Sequence, residues 1–123
     1  MSFRSDVWLC AQEIYRDLAG AKAQWRFTEL IALCEKHGGA PLLDPAMPVR
    51  QFACWDGEDI LLSPYGTPSL YREAIPHELV HRLADTPRWS YLNDCIEGWR
   101  YDRAAFVEAV AHKVGKMFRG ASE

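Results

Sequence analysis

His77, Glu78 and His81 stand in the order His-Glu-x-x-His within the stretch REAIPHELVHRLAD, residues 72–85. Two histidines four apart on a helix lie on one face, a turn apart. Both imidazoles can then reach a single zinc ion at about 2.0 to 2.1 Å. A glutamate directly after the first histidine points to the neighbouring side. There it can hold a water and take its proton while that water attacks a carbonyl. The competing reading is an amphipathic helix that spells the motif by chance, its apolar positions being Ile75, Leu79, Val80 and Leu83.

A catalytic zinc needs a third protein ligand and one open position. In one class of such sites the third ligand is a histidine six residues past the second, with a glycine at the third. Pro87 and Ala84 occupy those places, which excludes that class. In the other class an acid on a later helix completes the set. The downstream acids considered are Asp85, Asp94, Glu97, Asp102 and Glu108. Glu108 is the best placed, in the middle of RAAFVEAVAHKVG. Its small neighbours Ala104, Ala105, Ala109 and Ala111 let another helix come close. A place on a solvated face is the alternative for Glu108. His112, four residues on, shares its face and is a supporting donor to Glu108 or an alternative ligand.

The elements that must position these groups read as follows. Residues 5–19 form a helix, with Ser5 as N-cap and Gly20 as stop. A second helix covers 22–37 and ends at Gly38-Gly39, with Thr28 as the cap of a shorter version. The proline-rich APLLDPAMPV cannot be a long helix. RQFACW and DILLS are two short strands joined at Asp56-Gly57. A helical stretch runs from 69 to 84, and Pro76 marks the start of the motif helix, with 69–75 as a separate lead-in. Residues 86–101 are irregular, with at most one helical turn. The last helix runs from about 102 to 118.

The chain has 123 residues, which suits a single domain over 1–123 with one core. The expected fold class is α+β: mostly helical, with a short antiparallel hairpin beside the motif helix. A formal net charge of −3 argues against general binding to nucleic acid, for want of a basic excess. No apolar run is long enough to span a bilayer and no signal pattern opens the chain, so a cytoplasmic location is expected. Cys10, Cys34, Cys54 and Cys95 form no CxxC pair and read as reduced, mostly buried thiols.

Taken in order, these residues resemble the ImmA/IrrE family of small gluzincin-like zinc metallopeptidases. The likeness covers about two-thirds of the chain. It comprises an early helix ending in EKHGG, the strand pair RQFACWDGEDILLSP, Arg72 shortly before the motif, HELVH, and a later helix with EAVAHKV. Glu108 lies 108 − 81 = 27 residues beyond His81, a separation that suits the family. The resemblance implies a zincin-like fold, with His77, His81 and Glu108 as zinc ligands and Glu78 as general base. It also implies a protein substrate, such as a helix-turn-helix transcriptional repressor. The chain departs from the family at Asp85, where a further histidine is common, and in VGKMFRG near its end.

Three functions compete. The first is a zinc metallopeptidase acting on a protein partner. The second is a zincin-fold protein that binds and regulates such a partner without cutting it. The third is a helical binding module without metal. Retention of Glu78 favours the first, because binding needs no general base. Tyr65, Tyr91 and Tyr101 are considered as stabilisers of a developing oxyanion and read more readily as packing residues. Trp89, Tyr91 and Trp99 line a substrate groove or form a satellite core.

Overall fold

Each helix boundary has a local chemical cause. In the computed structural model, which describes residues 2–98 and 100–122, helix α1 spans Phe3–Ala19. Ser2, not Ser5, is its N-cap. Ser2 Oγ accepts from the Ser5 N–H and Ser5 Oγ accepts from the Ser2 N–H, each at 3.1 Å. Such reciprocal capping satisfies two donors that a helix start leaves free, which moves the boundary back three residues. Gly20, at φ 60°, closes the other end and donates to the Arg16 carbonyl.

Helix α2 is Phe27–Lys36, shorter than the expected 22–37. Glu29 reaches back to accept from the Arg26 N–H at 2.9 Å, which fixes the start there rather than at Thr28. Residues 22–26 run as a non-helical segment, in which Trp25 turns inward onto Phe118 with ring centroids 5.3 Å apart. Gly38 and Gly39 leave α2 at φ 129° and 136°, and the Gly39 N–H donates to the Cys34 carbonyl.

A three-stranded sheet follows, in the order β1-β3-β2. Strands β2 (Ala53–Trp55) and β3 (Ile60–Leu62) are antiparallel, with Cys54 opposite Leu61. Asp56 Oδ1 accepts from the N–H groups of Glu58 and Asp59, and Gly57 takes φ 97°, so the expected turn residues make the turn. Strand β1 (Leu42–Leu43) pairs parallel with β3 and was not foreseen in the proline-rich segment. The sheet is therefore mixed, and β2 is an edge strand lying against the next helix.

Helix α3 is one element, Pro68–Ala84, with Pro76 inside it. The expectation that Pro76 begins the motif helix is overturned. Thr67 caps the start through Leu70 N–H, and Pro68 takes the first-turn position that proline favours. Pro76 has no N–H to offer the Arg72 carbonyl. Buried packing by Ile75, Leu79, Val80 and Leu83 holds both halves in one element regardless.

The stretch expected to be irregular contains helix α4, Ser90–Glu97, which buries Leu92 and Cys95 three apart. Helix α5 is Arg103–Ser122, capped by Asp102, whose Oδ2 accepts from the Ala105 N–H at 2.9 Å. It packs along α3 on one side and α1 on the other. Gly115 makes the α3 contact possible: a Cβ there would lie 2.6 Å from the Glu73 carbonyl oxygen. The fold is α+β, as expected. Among the described residues no helix is long and apolar enough to cross a membrane.

Candidate metal centre

Helices α3 and α5 bring His77, His81 and Glu108 together. The Glu108 carboxylate bridges the two rings, with Oε1 3.0 Å from His77 Nε2 and Oε2 2.7 Å from His81 Nε2, the latter within hydrogen-bond distance. The ring centroids are 5.2 Å apart. One donor atom from each of the three residues lies within 4.8 Å of the others. The helical spacing of the histidines serves this convergence, as the sequence leads one to expect; of the alanines around Glu108 only Ala111 is buried, Ala104 and Ala105 being exposed, and Gly115 makes the close approach to α3.

The donor set fits zinc: two imidazoles and one carboxylate leave a fourth position open. Burial depresses the His77 pKa, and the neighbouring Glu108 carboxylate opposes that without reversing it. A ring kept neutral offers a lone pair to a cation. For Glu108, burial works to raise the pKa, but His77 and His81 together hold it below the usual carboxylate range. The Glu108 side chain is 59% exposed, so one side of the triad is open to solvent.

Glu78 points to the neighbouring face and meets β2. Its Oε1 accepts from the main-chain N–H of Trp55 at 3.3 Å. Burial pushes its pKa up to about 7, against the lowering influence of His81 and of that N–H. A carboxyl raised towards neutrality suits exchange of a proton with water. The Trp55 N–H had no signal in the sequence, because a backbone donor becomes visible only when its strand is placed.

Arg82, next to His81, is buried and ties the site to its surroundings. Its Nη1 donates to the Gly39 carbonyl at 2.9 Å, and its guanidinium lies over the Trp55 ring at 5.1 Å. This fixes the end of α2, the motif helix and β2 against one another.

The remaining acids go elsewhere. Asp85 pairs with Arg103 at 3.1 Å, Asp102 caps α5, and Asp94 and Glu97 are exposed on α4. The exposed His112 stands edge-on to His77, with ring centroids 6.3 Å apart, outside the converging donors. Tyr65 is exposed on a loop. Tyr91 and Tyr101 both donate to the buried Asp6, at 2.7 and 2.5 Å, and are committed away from the triad. Trp89 is buried and donates to Asp17 at 2.7 Å. Trp89 and Tyr91 therefore belong to a structural cluster, while Trp99 lies outside the described residues.

Two clefts flank the triad. One, of about 390 Å³, is lined by Arg50, Phe52, Glu73, His77, Glu78 and His112. The other, of about 330 Å³, is lined by Trp55, His81, Asp85, Arg103 and Glu108. A larger apolar cleft of about 620 Å³ between α1 and α5 contains none of these groups and lacks their chemistry. No family model matches the chain, and no curated protein or solved structure matches it.

Proposed function

We propose that the chain is a zinc metallopeptidase with a zincin-like fold, in which His77, His81 and Glu108 hold the metal and Glu78 is the general base. The observation that carries this reading is the Glu108 carboxylate seated between two Nε2 atoms on the facing helix. Zinc held there would polarise a carbonyl and lower the pKa of a water. Glu78 Oε1 is engaged by Trp55, which leaves Oε2 to receive the water's proton and to pass it to the leaving amine.

The edge strand supports a reading in which the substrate is an extended peptide. Phe52 and Asp56 spend their main-chain groups on the β3 side, through Ser63 N–H to Phe52 O and Asp56 N–H to Asp59 O. Alternation along a strand then turns the main chain of Ala53 and Trp55 to the open edge, next to Glu78. With the Trp55 N–H held by Glu78 and the Ala53 carbonyl met by Gln51, an extended peptide would add through the Ala53 N–H and the Trp55 carbonyl and carry its backbone across the triad from one cleft to the other. The exposed edge supports a protein substrate, and the family likeness noted above makes a helix-turn-helix repressor the first to try.

The same edge could hold a peptide without cutting it, and one experiment separates the two readings. The zinc-loaded protein and its Glu78→Gln variant are incubated with candidate repressors and a peptide mixture, and products are read by mass spectrometry. Cleavage by the parent and not by the variant supports the peptidase. Capture of a partner by both, with neither cutting it, supports the binding protein. Absence of zinc from protein purified without added metal would defeat both.

A further inference from the structure

Peptide hydrolysis beside Glu78 leaves one charge without a partner. As the water's oxygen bonds to the carbonyl carbon and its proton passes to Glu78, the carbonyl π electrons move onto the carbonyl oxygen. A fixed donor beside that oxygen contributes a large share of the rate in reactions of this kind. The three tyrosines do not supply it. Tyr91 and Tyr101 donate to Asp6, and Tyr65 lines neither cleft beside the triad.

We propose that His112 is this donor and so a further catalytic residue, an inference that deepens the peptidase reading and rests on it. His112 lies four residues beyond Glu108 on α5, so the two project from one face about a turn apart. Its ring stands edge-on to His77, at an interplanar angle of 81° and a centroid separation of 6.3 Å. His112, His77 and Glu78 line the same cleft of about 390 Å³. The base, one ring of the triad and His112 therefore meet around one space. The His112 side chain has no hydrogen-bond or ion-pair partner among the described residues. Imidazole carries at least one N–H in either protonation state, so a donor is at hand in both. The residue also stands outside the three converging donors, which leaves it free for a bound peptide.

Other polar groups of this cleft are committed or loosely placed. Glu73 is an acid, paired with Lys116 at 3.1 Å and Arg119 at 2.9 Å. The Gln51 amide reaches the Ala53 carbonyl. Arg50 is the competing donor, but it sits in the turn before β2, whereas His112 shares a helix with Glu108. His112 lends a hydrogen bond and keeps its proton. When the carbon–nitrogen bond breaks, the proton held by Glu78 goes to the leaving amine, and the products are an acid and an amine.

The test uses the zinc-loaded full chain, a peptide that the parent cuts, and a phosphinic analogue of phenylalanyl-alanine whose anionic oxygens imitate the charged one. His112→Phe keeps a ring and removes the donor; His112→Gln restores an N–H. His112→Phe should lower kcat roughly a hundredfold to a thousandfold, with KM and zinc content little changed. Calorimetry should show the analogue bound about tenfold or more weakly by this variant. His112→Gln should recover part of both losses, and Arg50→Gln should cause neither. Parent-like kcat in His112→Phe, the same losses in Arg50→Gln instead, or zinc lost along with the His112 ring would each overturn the proposal and leave the peptidase reading standing. A parent that holds no zinc, or holds it and cuts nothing, defeats the peptidase reading itself and this inference with it.

Discussion

Across 23 residues of sequence, the main-chain N–H of Trp55 donates to Glu78 Oε1. The contact joins the edge strand to the residue assigned as general base and fixes which of its oxygens is free. Glu78→Gln preserves an acceptor for Trp55 and the shape of the side chain, but an amide cannot take a proton from water. Zinc content and thermal stability should stay close to the parent's. Turnover should fall by roughly a hundredfold to ten-thousandfold. Unchanged cleavage by the metal-replete variant would remove Glu78 from the mechanism.

Glu108 is the acid that meets both imidazoles, so Glu108→Ala should severely weaken zinc binding and abolish hydrolysis. Asp94→Ala and Glu97→Ala, on the exposed face of α4, should leave zinc affinity intact. Asp102→Ala should lower stability by about 1 kcal/mol through loss of a helix cap and also leave the metal alone. Competition with a chromogenic chelator, beside urea melts of the same variants, separates these effects.

Zinc should stabilise the folded chain, since the triad exists only when α5 is docked on α3. Metal at a hundred times its dissociation constant should add about 2.7 kcal/mol. A chelator should reverse the gain. In His81→Ala the melting temperature should become insensitive to zinc, and a parent-like rise in that variant would place the metal elsewhere.

Gly115→Ala tests the approach of the two helices. Alanine favours a helix over glycine by about 1 kcal/mol. Here, however, the added methyl meets the Glu73 carbonyl oxygen in the packed α3–α5 interface. Overpacking should win, with a net loss of about 1 to 3 kcal/mol and a parallel fall in zinc affinity. Denaturant unfolding of the metal-free and zinc-bound forms reads both.

Asp6 is fully enclosed and accepts from Tyr101, Tyr91 and Arg100. Hydrogen bonds from the two tyrosines, with Arg100 behind them, hold its pKa below the ordinary carboxylate value despite burial. A carboxyl depressed in the folded state contributes stability above its unfolded pKa, about 3.9 for aspartate. That contribution is lost as pH falls through the folded value. Asp6→Asn should therefore be less stable than the parent at neutral pH, and the gap should narrow in acid below that point. A constant gap from neutral pH to acid would show that Asp6 is not the group responsible.

The candidate metal centre was the most legible part of the chain because the placing of its two histidines is local. A spacing of four from His77 to His81 is about one helical turn, and Glu108 stood out as an acid within an apolar helix. What was misread depends on contacts distant in sequence. Leu42 and Leu43 become a strand only because Leu61 and Leu62 lie beside them. Residues 90–97 become a helix by burying Leu92 and Cys95 and by tying Tyr91 to Asp6. Pro76 looked like a boundary on local grounds, and the packing of α3 overrode the one hydrogen bond that proline denies. The role of Asp6 had no sequence signal, since its three partners follow it by 85, 94 and 95 residues.

The short strand beside the triad also bears on how the protein behaves in concentrated solution. An unpaired strand edge is a template for another copy of the same chain. Here that edge is three residues long, one of its donors is held by the Glu78 carboxylate, and the Gln51 side chain reaches the Ala53 carbonyl from the same side. The group that would do the chemistry thus also guards the edge against edge-to-edge self-association. Truncating it to alanine would free the Trp55 N–H and remove a half-buried carboxyl in one step. Of the substitutions open at position 78, Glu78→Ala is the one expected to raise the tendency to aggregate, while Glu78→Gln keeps the guard in place.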